Sequence, residues 1–390
     1  MSSAGSKREV EVVLPDGGTS TSAGRGFERF RVIRRIQESE SIVSFELIPL
    51  DAARSLAFIA GQFVAVRLTM PDGETLLRHY SLSGDSADTT HWRISVKLES
   101  TPPGRGSSWL HQNIDVGDEL ELAGPAGSFV CAEDSERPVI LLSGGVGVTP
   151  LVSMLHRLAR GSSRRVYFVH ACENSVVHAF VDEVDALAAA RPGIAVHVCY
   201  RNPLGGDEAW GACDSKGLLT KATLQALLPL DDYDVYLCGP PGFMQANWRL
   251  LRELGIARER IHYEFFGPAT VLEDEASDSH SVAAKESVAA PVPAVAAADT
   301  GMVTVRFEPH SDPIPWDPSF HSLLEMAEHA GYAPAFNCRA GLCNACTTPL
   351  VSGRVHYVED PLAPPPDDEV LLCCTRPVTP VTLAMKSPAA

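Results

Sequence analysis

The chain has 390 residues, a hydrophobic content of 45% and a formal net charge of −17 at pH 7. This length predicts two or three domains, each large enough for its own hydrophobic core. The acidic balance argues against a nucleic-acid ligand, which requires a basic face, and favours a basic protein partner. No apolar run is long enough to span a membrane, and residues 1–26 lack the apolar core of a signal peptide. We therefore expect a cytoplasmic protein with a disordered tail over residues 1–26.

Short alternating strands characterise residues 27–132. Ile94 and Val96 alternate with Arg93, Ser95 and Lys97, a period of two that is typical of a half-buried strand. Turn residues separate further runs of this kind. The pattern predicts a small antiparallel β-barrel.

Residues 133–268 alternate continuous apolar strands with helical segments. The expected elements are strand 139–142, a helix beginning near Pro150, strand 166–169, helix 178–190, strand 195–200 and strand 235–238. This alternation predicts an α/β domain with a parallel, nucleotide-binding sheet.

Residues 269–300 change character, from an acidic patch to Ala, Val, Ser and Pro with no aromatic residue. Such a composition cannot build a core and predicts a flexible linker. A flexible chain of this length has an end-to-end distance of roughly 30 Å.

The carboxy-terminal region contains a cysteine motif. Cys338, Cys343 and Cys346 form a C-x4-C-x2-C run, and Cys373 and Cys374 follow downstream. This is the spacing of plant-type 2Fe-2S ligation. Zinc sites usually carry two C-x2-C pairs, so the spacing favours an iron-sulfur cluster over zinc. Spacing alone does not choose between Cys373 and Cys374 as the fourth ligand.

Two segments of the barrel region have residues suited to a flavin. Residues 78–83 (RHYSLS) place a permanent cation, an aromatic ring and a hydroxyl in one extended stretch. These groups can take a phosphate, lie against an isoalloxazine and bond near its N5 atom. Residues 103–111 (PGRGSSWLH) place glycines where a helix could begin, so that backbone N–H groups face a phosphate.

Two further segments suit a nicotinamide nucleotide. Residues 141–150 (LLSGGVGVTP) predict a strand, a glycine-rich turn and a helix, an arrangement that lets a pyrophosphate approach the backbone. The turn lacks the third glycine of G-x-G-x-x-G and the Gly-Lys-Ser/Thr of a Walker A loop. Residues 236–244 (YLCGPPGFM) end another strand with Cys238 at its carboxyl edge, where parallel sheets present ligands.

Taken in this order, the four segments resemble the ferredoxin-NADP reductase superfamily. Residues 27–268 are most similar to the reductase part of flavohaemoglobins, and residues 301–385 resemble plant-type ferredoxins. The resemblance implies a multidomain fold. Its expected parts are an antiparallel β-barrel flavin domain (27–132), an α/β parallel-sheet NAD(P) domain (133–268) and an α+β (β-grasp) 2Fe-2S ferredoxin domain (301–390).

The resemblance also implies roles for individual residues. Ser81 would tune flavin N5, Cys238 would position the nicotinamide and Glu264 could handle protons. The residues implied to bind flavin or nucleotide are Phe63, Arg78, His79, Tyr80, Ser81, Gly104, Ser107, Gly144, Gly145, Gly147, Thr149, Pro150, Cys238, Gly239, Pro240, Phe265 and Phe266. Phe63 stands where that family more often has tyrosine.

In plant-type ferredoxins the last ligand commonly stands four residues before a proline. Cys373 and Pro377 fit that spacing. The implied ligands are therefore Cys338, Cys343, Cys346 and Cys373. Asn344 departs from the family, which usually has glycine there, and its side chain could alter the reduction potential of the cluster.

The implied cofactors are FAD, NADH and a 2Fe-2S cluster. FMN is the alternative flavin, because phthalate dioxygenase reductases use it with a stretch similar to residues 104–107. NADPH is the alternative nucleotide. NADH is preferred because Glu173, and no pair of basic residues, follows strand 166–169.

The implied activity is electron transfer from NADH through flavin and cluster to a protein acceptor, by a monomer. The leading function is the reductase component of a multi-component, Rieske-type oxygenase. One alternative is a reductase for a hybrid-cluster or haem protein in nitrosative stress, and another is a redox-sensing or binding module. No globin domain precedes the barrel in this sequence, so nitric oxide dioxygenation is not expected.

Overall fold

The computed structural model describes residues 10–13, residues 26–266 except 101, 133 and 210, and residues 303–385 except 310–311, 319, 333, 337–340, 342–343, 359–360 and 363. The predicted linker over residues 269–300 lies outside the described residues. The chain divides into a larger unit, built around residues 26–266 and including 335–345, and a smaller one, built around residues 303–334 and 346–385. The first element, β1 (Val10–Val13), belongs to the smaller unit.

Six antiparallel strands and one helix begin the larger unit. They are β2 (Glu28–Gln37), β3 (Ile42–Pro49), β4 (Phe63–Thr69), β5 (Thr75–Ser81), β6 (Trp92–Lys97), α1 (Arg105–Asn113) and β7 (Glu119–Ala126). The strand order is β5-β4-β7-β2-β3-β6. A bridge between Leu82 and Ile94 joins the two outer strands and closes the sheet. The predicted antiparallel barrel is confirmed.

The barrel is filled by aromatic and branched side chains, with the rings of Phe30 and Trp92 stacked 4.9 Å apart. The predicted alternation of β6 fails at Ser95, which is buried. Its hydroxyl lies 2.7 Å from the hydroxyls of both Ser44 and Ser83. A polar side chain is tolerated inside the barrel because these hydrogen bonds satisfy it.

A parallel sheet with helices completes the larger unit. Its elements are β8 (Val139–Gly144), α2 (Val148–Gly161), β9 (Val166–Cys172), α3 (Val181–Ala190), β10 (Ile194–Tyr200), α4 (Gly205–Ala209), β11 (Ser215–Lys216), α5 (Lys221–Leu227), β12 (Asp234–Cys238), α6 (Pro241–Glu253) and β13 (Ile261–Glu264). The order is β11-β10-β9-β8-β12-β13. The α/β prediction is confirmed, and β8 is buried along its whole length, as expected for a central parallel strand.

Helix α3 begins at Val181, three residues later than the expected start at residue 178. His178 is buried in the preceding turn, where its ring stacks on that of His170 and its Nδ1 lies 2.9 Å from the Tyr200 hydroxyl. Phe180, the residue before the helix, has a φ of +63°. The packing of His178 against two strands therefore delays the helix.

The described residues of the smaller unit form a mixed sheet with one helix. Its elements after β1 are β14 (Thr304–Glu308), β15 (Ile314–Pro315), α7 (Leu323–His329), β16 (Thr347–Tyr357), β17 (Glu369–Leu371), β18 (Thr375–Pro377) and β19 (Val381–Ala384). The main order is β1-β16-β19-β14-β15, with β17 and β18 also paired to β16. This separate sheet with its helix confirms the α+β prediction. In the part of the chain that the structure describes, no helix has the length and apolar character to cross a membrane.

Strand β1 lies inside the segment expected to be disordered, and this expectation does not hold for its four residues. Val10–Val13 pairs in parallel with residues 353–356 of β16. Three of the four residues are valine, which has a high strand propensity. The strand forms because β16 offers an open edge, and that edge belongs to a region more than 300 residues away in the chain.

Candidate functional site

The flavin motif forms strand β5, which pairs with β4. Alternation along the strand places Arg78 and Tyr80 on one face and His79 on the other, where the His79 ring meets that of Phe63 edge-on at 5.4 Å. Ser81 is buried opposite Phe63. Burial raises the pKa of the Tyr80 hydroxyl, so this phenol stays neutral. The motif thus presents a cation and a neutral aromatic ring together.

The first turn of α1 lies against Arg78. A Cβ added to Gly106 would meet Arg78 Cγ at 3.1 Å and Arg78 Nε at 3.3 Å. No side chain caps this helix terminus, so its backbone N–H groups and a guanidinium share one place that suits a phosphate. The Ser107 hydroxyl accepts from Glu99 N and donates to Gly104 O.

The predicted glycine-rich turn lies between β8 and α2. Gly145 has a φ of +51°, and a Cβ added there would meet nothing within 4 Å, so this part of the turn is open. Thr149 Oγ1 donates to Val146 O at 3.0 Å, and Thr149 and Pro150 are both buried. Of the predicted residues, Gly145 therefore faces free space, whereas Thr149 and Pro150 support the turn from inside.

The turn after β12 packs directly on the turn after β8. A Cβ on Gly147 would lie 2.3 Å from Cys238 O, so the two backbones touch. The ring of Phe243 occupies the space that side chains on Gly144 and Gly239 would need, at 2.8 and 2.6 Å. The sequence reasoning missed Phe243. The available signal was two glycine turns at neighbouring strand ends, with an aromatic residue in the first turn of the helix that follows the second.

Cys238 and Glu264 are register partners at the carboxyl ends of β12 and β13. Burial, together with the nearby Glu264 carboxyl, raises the pKa of the Cys238 thiol well above its ordinary value. Burial also raises the pKa of Glu264 to about 8. Among the described residues Glu264 Oε2 has no hydrogen-bond partner. A neutral thiol and a protonated carboxyl with an unsatisfied oxygen therefore stand side by side at neutral pH.

The two aromatic residues after Glu264 have different surroundings. Phe265 is buried and meets the Tyr263 ring edge-on at 5.7 Å, whereas Phe266 is 40% exposed. Phe265 therefore belongs to the packing beneath this edge. Phe266 is the one that is free to cover a ligand.

The ends of β9 and β10 carry a polar group at the same edge of the sheet. Asn202 Nδ2 donates to Glu173 Oε2 at 2.7 Å, and Arg201 Nη1 lies 3.5 Å from Glu173 Oε1. A carboxylate at this position suits a ribose hydroxyl and repels a 2′-phosphate. Glu173 also pairs with Arg201, the nearby cation that could otherwise bind a 2′-phosphate. The arrangement therefore favours NADH.

Part of the predicted cluster site is described. Cys346 and Cys373 are buried, and Cys373 N donates to Cys346 Sγ at 3.5 Å. Cys374 is also buried, with its thiol donating to Leu371 O at 3.8 Å. Cys338 and Cys343 lie outside the described residues. Two of the implied ligands are thus adjacent, and their soft sulfur atoms fit iron.

Asn344, the departure from the ferredoxin pattern, has a φ of +53°. This left-handed conformation explains why glycine is usual there, and asparagine is one of the few other residues that adopt it readily. The backbone conformation at residue 344 is therefore one that asparagine can adopt.

Comparisons with known proteins agree with this division of the chain. The oxidoreductase FAD-binding domain family matches residues 29–131, the oxidoreductase NAD-binding domain family matches residues 141–248, and the 2Fe-2S iron-sulfur cluster binding domain family matches residues 314–378. The flavohemoprotein of Bacillus cereus is 42% identical over 255 residues. That alignment covers 64% of this chain and 63% of the flavohemoprotein, so the chain spans less than two thirds of this relative's length.

Two solved structures are similar to different extents of the chain. The Flavohem-like FAD/NAD-binding domain of nitric oxide dioxygenase from Vibrio cholerae has a TM-score of 0.56 and 38% identity, covering 62% of this chain and 99% of that one. Phthalate dioxygenase reductase has a TM-score of 0.52 over 93% of this chain and 98% of its own. Its 23% identity shows a shared fold alone.

Proposed function

This chain belongs to the ferredoxin-NADP reductase superfamily, with a flavohaemoglobin-type FAD- and NAD-binding module fused to a plant-type 2Fe-2S domain, and we propose that it is the reductase component of a multi-component oxygenase. It is an NAD(P)H-dependent oxidoreductase. The electron acceptor in this proposal is a separate protein of the Rieske type. The observation that carries the proposal is the presence of flavin, nucleotide and cluster domains in one chain.

The three groups have complementary chemistry. A flavin takes up two electrons with a hydride from NADH and can release them singly, which suits a 2Fe-2S cluster and the one-electron acceptors such clusters serve. The protein's task is to bind the three groups and to control protons.

Named residues supply these tasks in the proposal. Arg78 and the first turn of α1 bind the flavin phosphate, and the open turn at Gly145 receives the nucleotide pyrophosphate. Cys238, uncharged because it is buried, offers a soft surface to the nicotinamide edge. Glu264 holds a proton on its carboxyl at neutral pH.

The choice of acceptor rests on fold similarity. Phthalate dioxygenase reductase is described as a modular structure for electron transfer from pyridine nucleotides to 2Fe-2S, and its fold matches almost this whole chain. The 42% identity to a flavohemoprotein supports the second candidate, a reductase for a haem or hybrid-cluster protein in nitrosative stress.

Cys338→Ser tests the electron path. We expect reduction of ferricyanide by NADH to stay within about twofold of the wild type, because ferricyanide can take electrons from flavin, while cytochrome c reduction falls at least tenfold. Cys374→Ser is the matched control, a buried thiol next to the proposed ligand Cys373, and should leave both activities and the iron content unchanged. If the Cys338 variant kept full cytochrome c reduction, the proposed path would be wrong.

The acceptor is tested by reoxidation of the NADH-reduced protein under anaerobic conditions. We expect saturable reoxidation by a purified Rieske-type oxygenase component at rates above those with a haem protein. Faster reoxidation by the haem protein would favour the second candidate. Slow reoxidation by every acceptor would favour a redox sensor.

A further inference from the structure

Arg93 in β6 joins the barrel to the nucleotide-binding lobe of the larger unit. Its Nη2 donates to Ser83 O at 2.5 Å, and the same guanidinium makes a paired bond with the Glu183 carboxylate of α3, at 2.7 and 2.9 Å. The guanidinium also lies over the Phe180 ring at 5.1 Å. Both partners are largely buried, with side chains 11% and 23% exposed. The Arg93 guanidinium is therefore hydrogen-bonded to the barrel through Ser83 and to the nucleotide-binding lobe through Glu183.

The connection continues through a second helix. His156 Nε2 of α2 donates to Glu183 Oε1 at 2.5 Å. One turn further along α2, Arg160 Nε lies 2.6 Å from Asp85 Oδ2, which returns the connection to the barrel. His156 Nδ1 lies 4.0 Å from the same Asp85 oxygen. The five side chains Asp85, Arg93, His156, Arg160 and Glu183 form what we call the interlobe network.

One end of the interlobe network bonds Ser83, beside the proposed flavin strand, and the other end lies on helix α2 at His156 and Arg160, eight and twelve residues after the first residue of that helix. Ser83 follows Ser81, the proposed flavin N5 partner, by two residues, and its backbone N donates to Arg93 O at 2.9 Å. Helix α2 begins at Val148, directly after the glycine turn at Gly145–Gly147. The network thus links the strand proposed to hold the flavin to the helix whose first turn is proposed to hold the nucleotide.

We propose that Arg93 is a positioning residue for hydride transfer, which sets the distance and angle between the nicotinamide and the flavin by fixing one lobe against the other. This inference rests on the proposed function, in which the two rings meet between the lobes. Hydride transfer requires reacting atoms about 3–3.5 Å apart, and a displacement of about 1 Å can slow a reaction roughly 100-fold. A rigid, buried, bidentate connection is suited to such control.

Glu183 carries its charge over a wide pH range. Burial alone would raise the pKa of Glu183, but hydrogen bonds from His156 and Arg93 outweigh it and lower the pKa to about 2. The carboxylate is thus ionised at every pH at which the enzyme would be assayed. Protonation of Glu183 therefore does not break its bidentate contact with Arg93 at these pH values.

The barrel offers a matched pair that does not join the lobes. Arg67 makes the same bidentate contact with Glu121, at 2.8 and 2.7 Å, but both residues belong to barrel strands and their side chains are 37% and 38% exposed. Replacing either arginine with lysine keeps the charge and removes the planar fork. Arg93→Lys therefore weakens a contact between the two lobes, whereas Arg67→Lys weakens an equivalent contact within the barrel.

The experiment is anaerobic stopped-flow reduction of the bound flavin by NADH in the full chain. For Arg93→Lys we expect the limiting rate of flavin reduction to fall about 10- to 100-fold, a larger deuterium isotope effect with 4-deuterated NADH, and a weaker charge-transfer absorbance between nicotinamide and flavin. The dissociation constant for NADH and the flavin content should stay within about twofold of the wild type. Arg67→Lys should match the wild type in every measurement.

Glu183→Gln is the second variant. It keeps the shape of the side chain and removes its charge, so it should reproduce the Arg93→Lys effect if that variant does not fold. A lower melting temperature with an unchanged reduction rate and unchanged charge-transfer absorbance would overturn the proposal, because the network would then be structural only. Wild-type protein whose flavin is not reduced by NADH would instead refute the proposed function itself.

Discussion

Glu264 is a carboxyl group that folding keeps neutral. Its ordinary pKa of 4.5 rises to about 8 because burial penalises the charged form. When the folded pKa is the higher one, ionisation favours unfolding. The cost is absent below pH 4.5, grows as the pH rises and levels off above pH 8. A carboxyl that lowers stability at neutral pH, and whose Oε2 has no hydrogen-bond partner in the described part of the chain, is typical of a binding or catalytic site.

We predict that Glu264→Gln stabilises the protein more at pH 8 than at pH 5.5, because the amide cannot ionise. The gain in melting temperature should be larger at pH 8 by about 2–8 °C, measured by circular dichroism. Glu173→Gln, at a half-exposed carboxyl of the same sheet edge, is the comparison variant. If Glu264→Gln raised the melting temperature by the same amount at both pH values, the predicted titration of Glu264 would be wrong.

Strand β1 shows how an element can belong to a distant part of the chain. It precedes the barrel in sequence, yet it pairs with β16 of the ferredoxin sheet, in register from Val10 to Val13. Strand β16 also pairs with β17, β18 and β19. The added strand covers an edge that would otherwise leave backbone N–H and C=O groups of β16 unpaired.

We predict that removing residues 1–16 destabilises the ferredoxin unit and leaves the flavin content unchanged. The expected loss in melting temperature is a few degrees, because four residues of backbone pairing disappear. Hydrogen exchange should become faster at residues 353–356 of β16, which pair with β1. A truncation of residues 1–8, which precede the strand, is the control. Equal exchange in both truncated proteins would show that β1 does not protect this edge.

At the scale of the molecule, the chain consists of two units with separate sheets. The larger unit contains both the barrel and the parallel sheet, and its proposed ligands are FAD and NADH. The smaller unit buries Cys346, Cys373 and Cys374, and its proposed ligand is the cluster. Because a ligand stabilises the unit that binds it, each cofactor should affect its own unit.

We predict two calorimetric unfolding transitions with separate ligand responses. Removal of iron with a chelator should lower the transition of the ferredoxin unit by more than about 10 °C, because metal-binding energy is folding energy in small metal domains. Added FAD should raise the other transition alone. Absorbance of the cluster and of the flavin, recorded during heating, assigns each transition. A single transition that responds to both treatments would contradict the prediction.

Much of the fold was predictable because local patterns agree with it. Period-two alternation near Ile94 and the continuous apolar run at β8 distinguish the antiparallel from the parallel sheet. The cysteine motif depends on spacing alone. Other features depend on contacts between distant segments: Ser95 is buried because of Ser44 and Ser83, and α3 starts late because His178 packs on Tyr200.

The candidate site was predictable in part for the same reason. Glycine turns at strand ends could be recognised one at a time, but their contact through Phe243 could not. The sequence placed His79 and Ser107 among the flavin ligands. In the structure His79 and Ser81 share one strand phase, Arg78 and Tyr80 share the other, and the Ser107 hydroxyl bonds Glu99 N and Gly104 O, so the roles of His79 and Ser107 stay predictions.

The sequence by itself predicted the cofactor chemistry of this protein, because the proposed phosphate-binding turns, flavin strand and cluster cysteines are short motifs that can be recognised locally. Tertiary structure alone decided the interlobe network, the pairing of β1 with β16 and the neutral state of Glu264. Each of these depends on which distant groups burial brings together. Burial, and the electrostatic effects that follow from it, is a property of the folded chain.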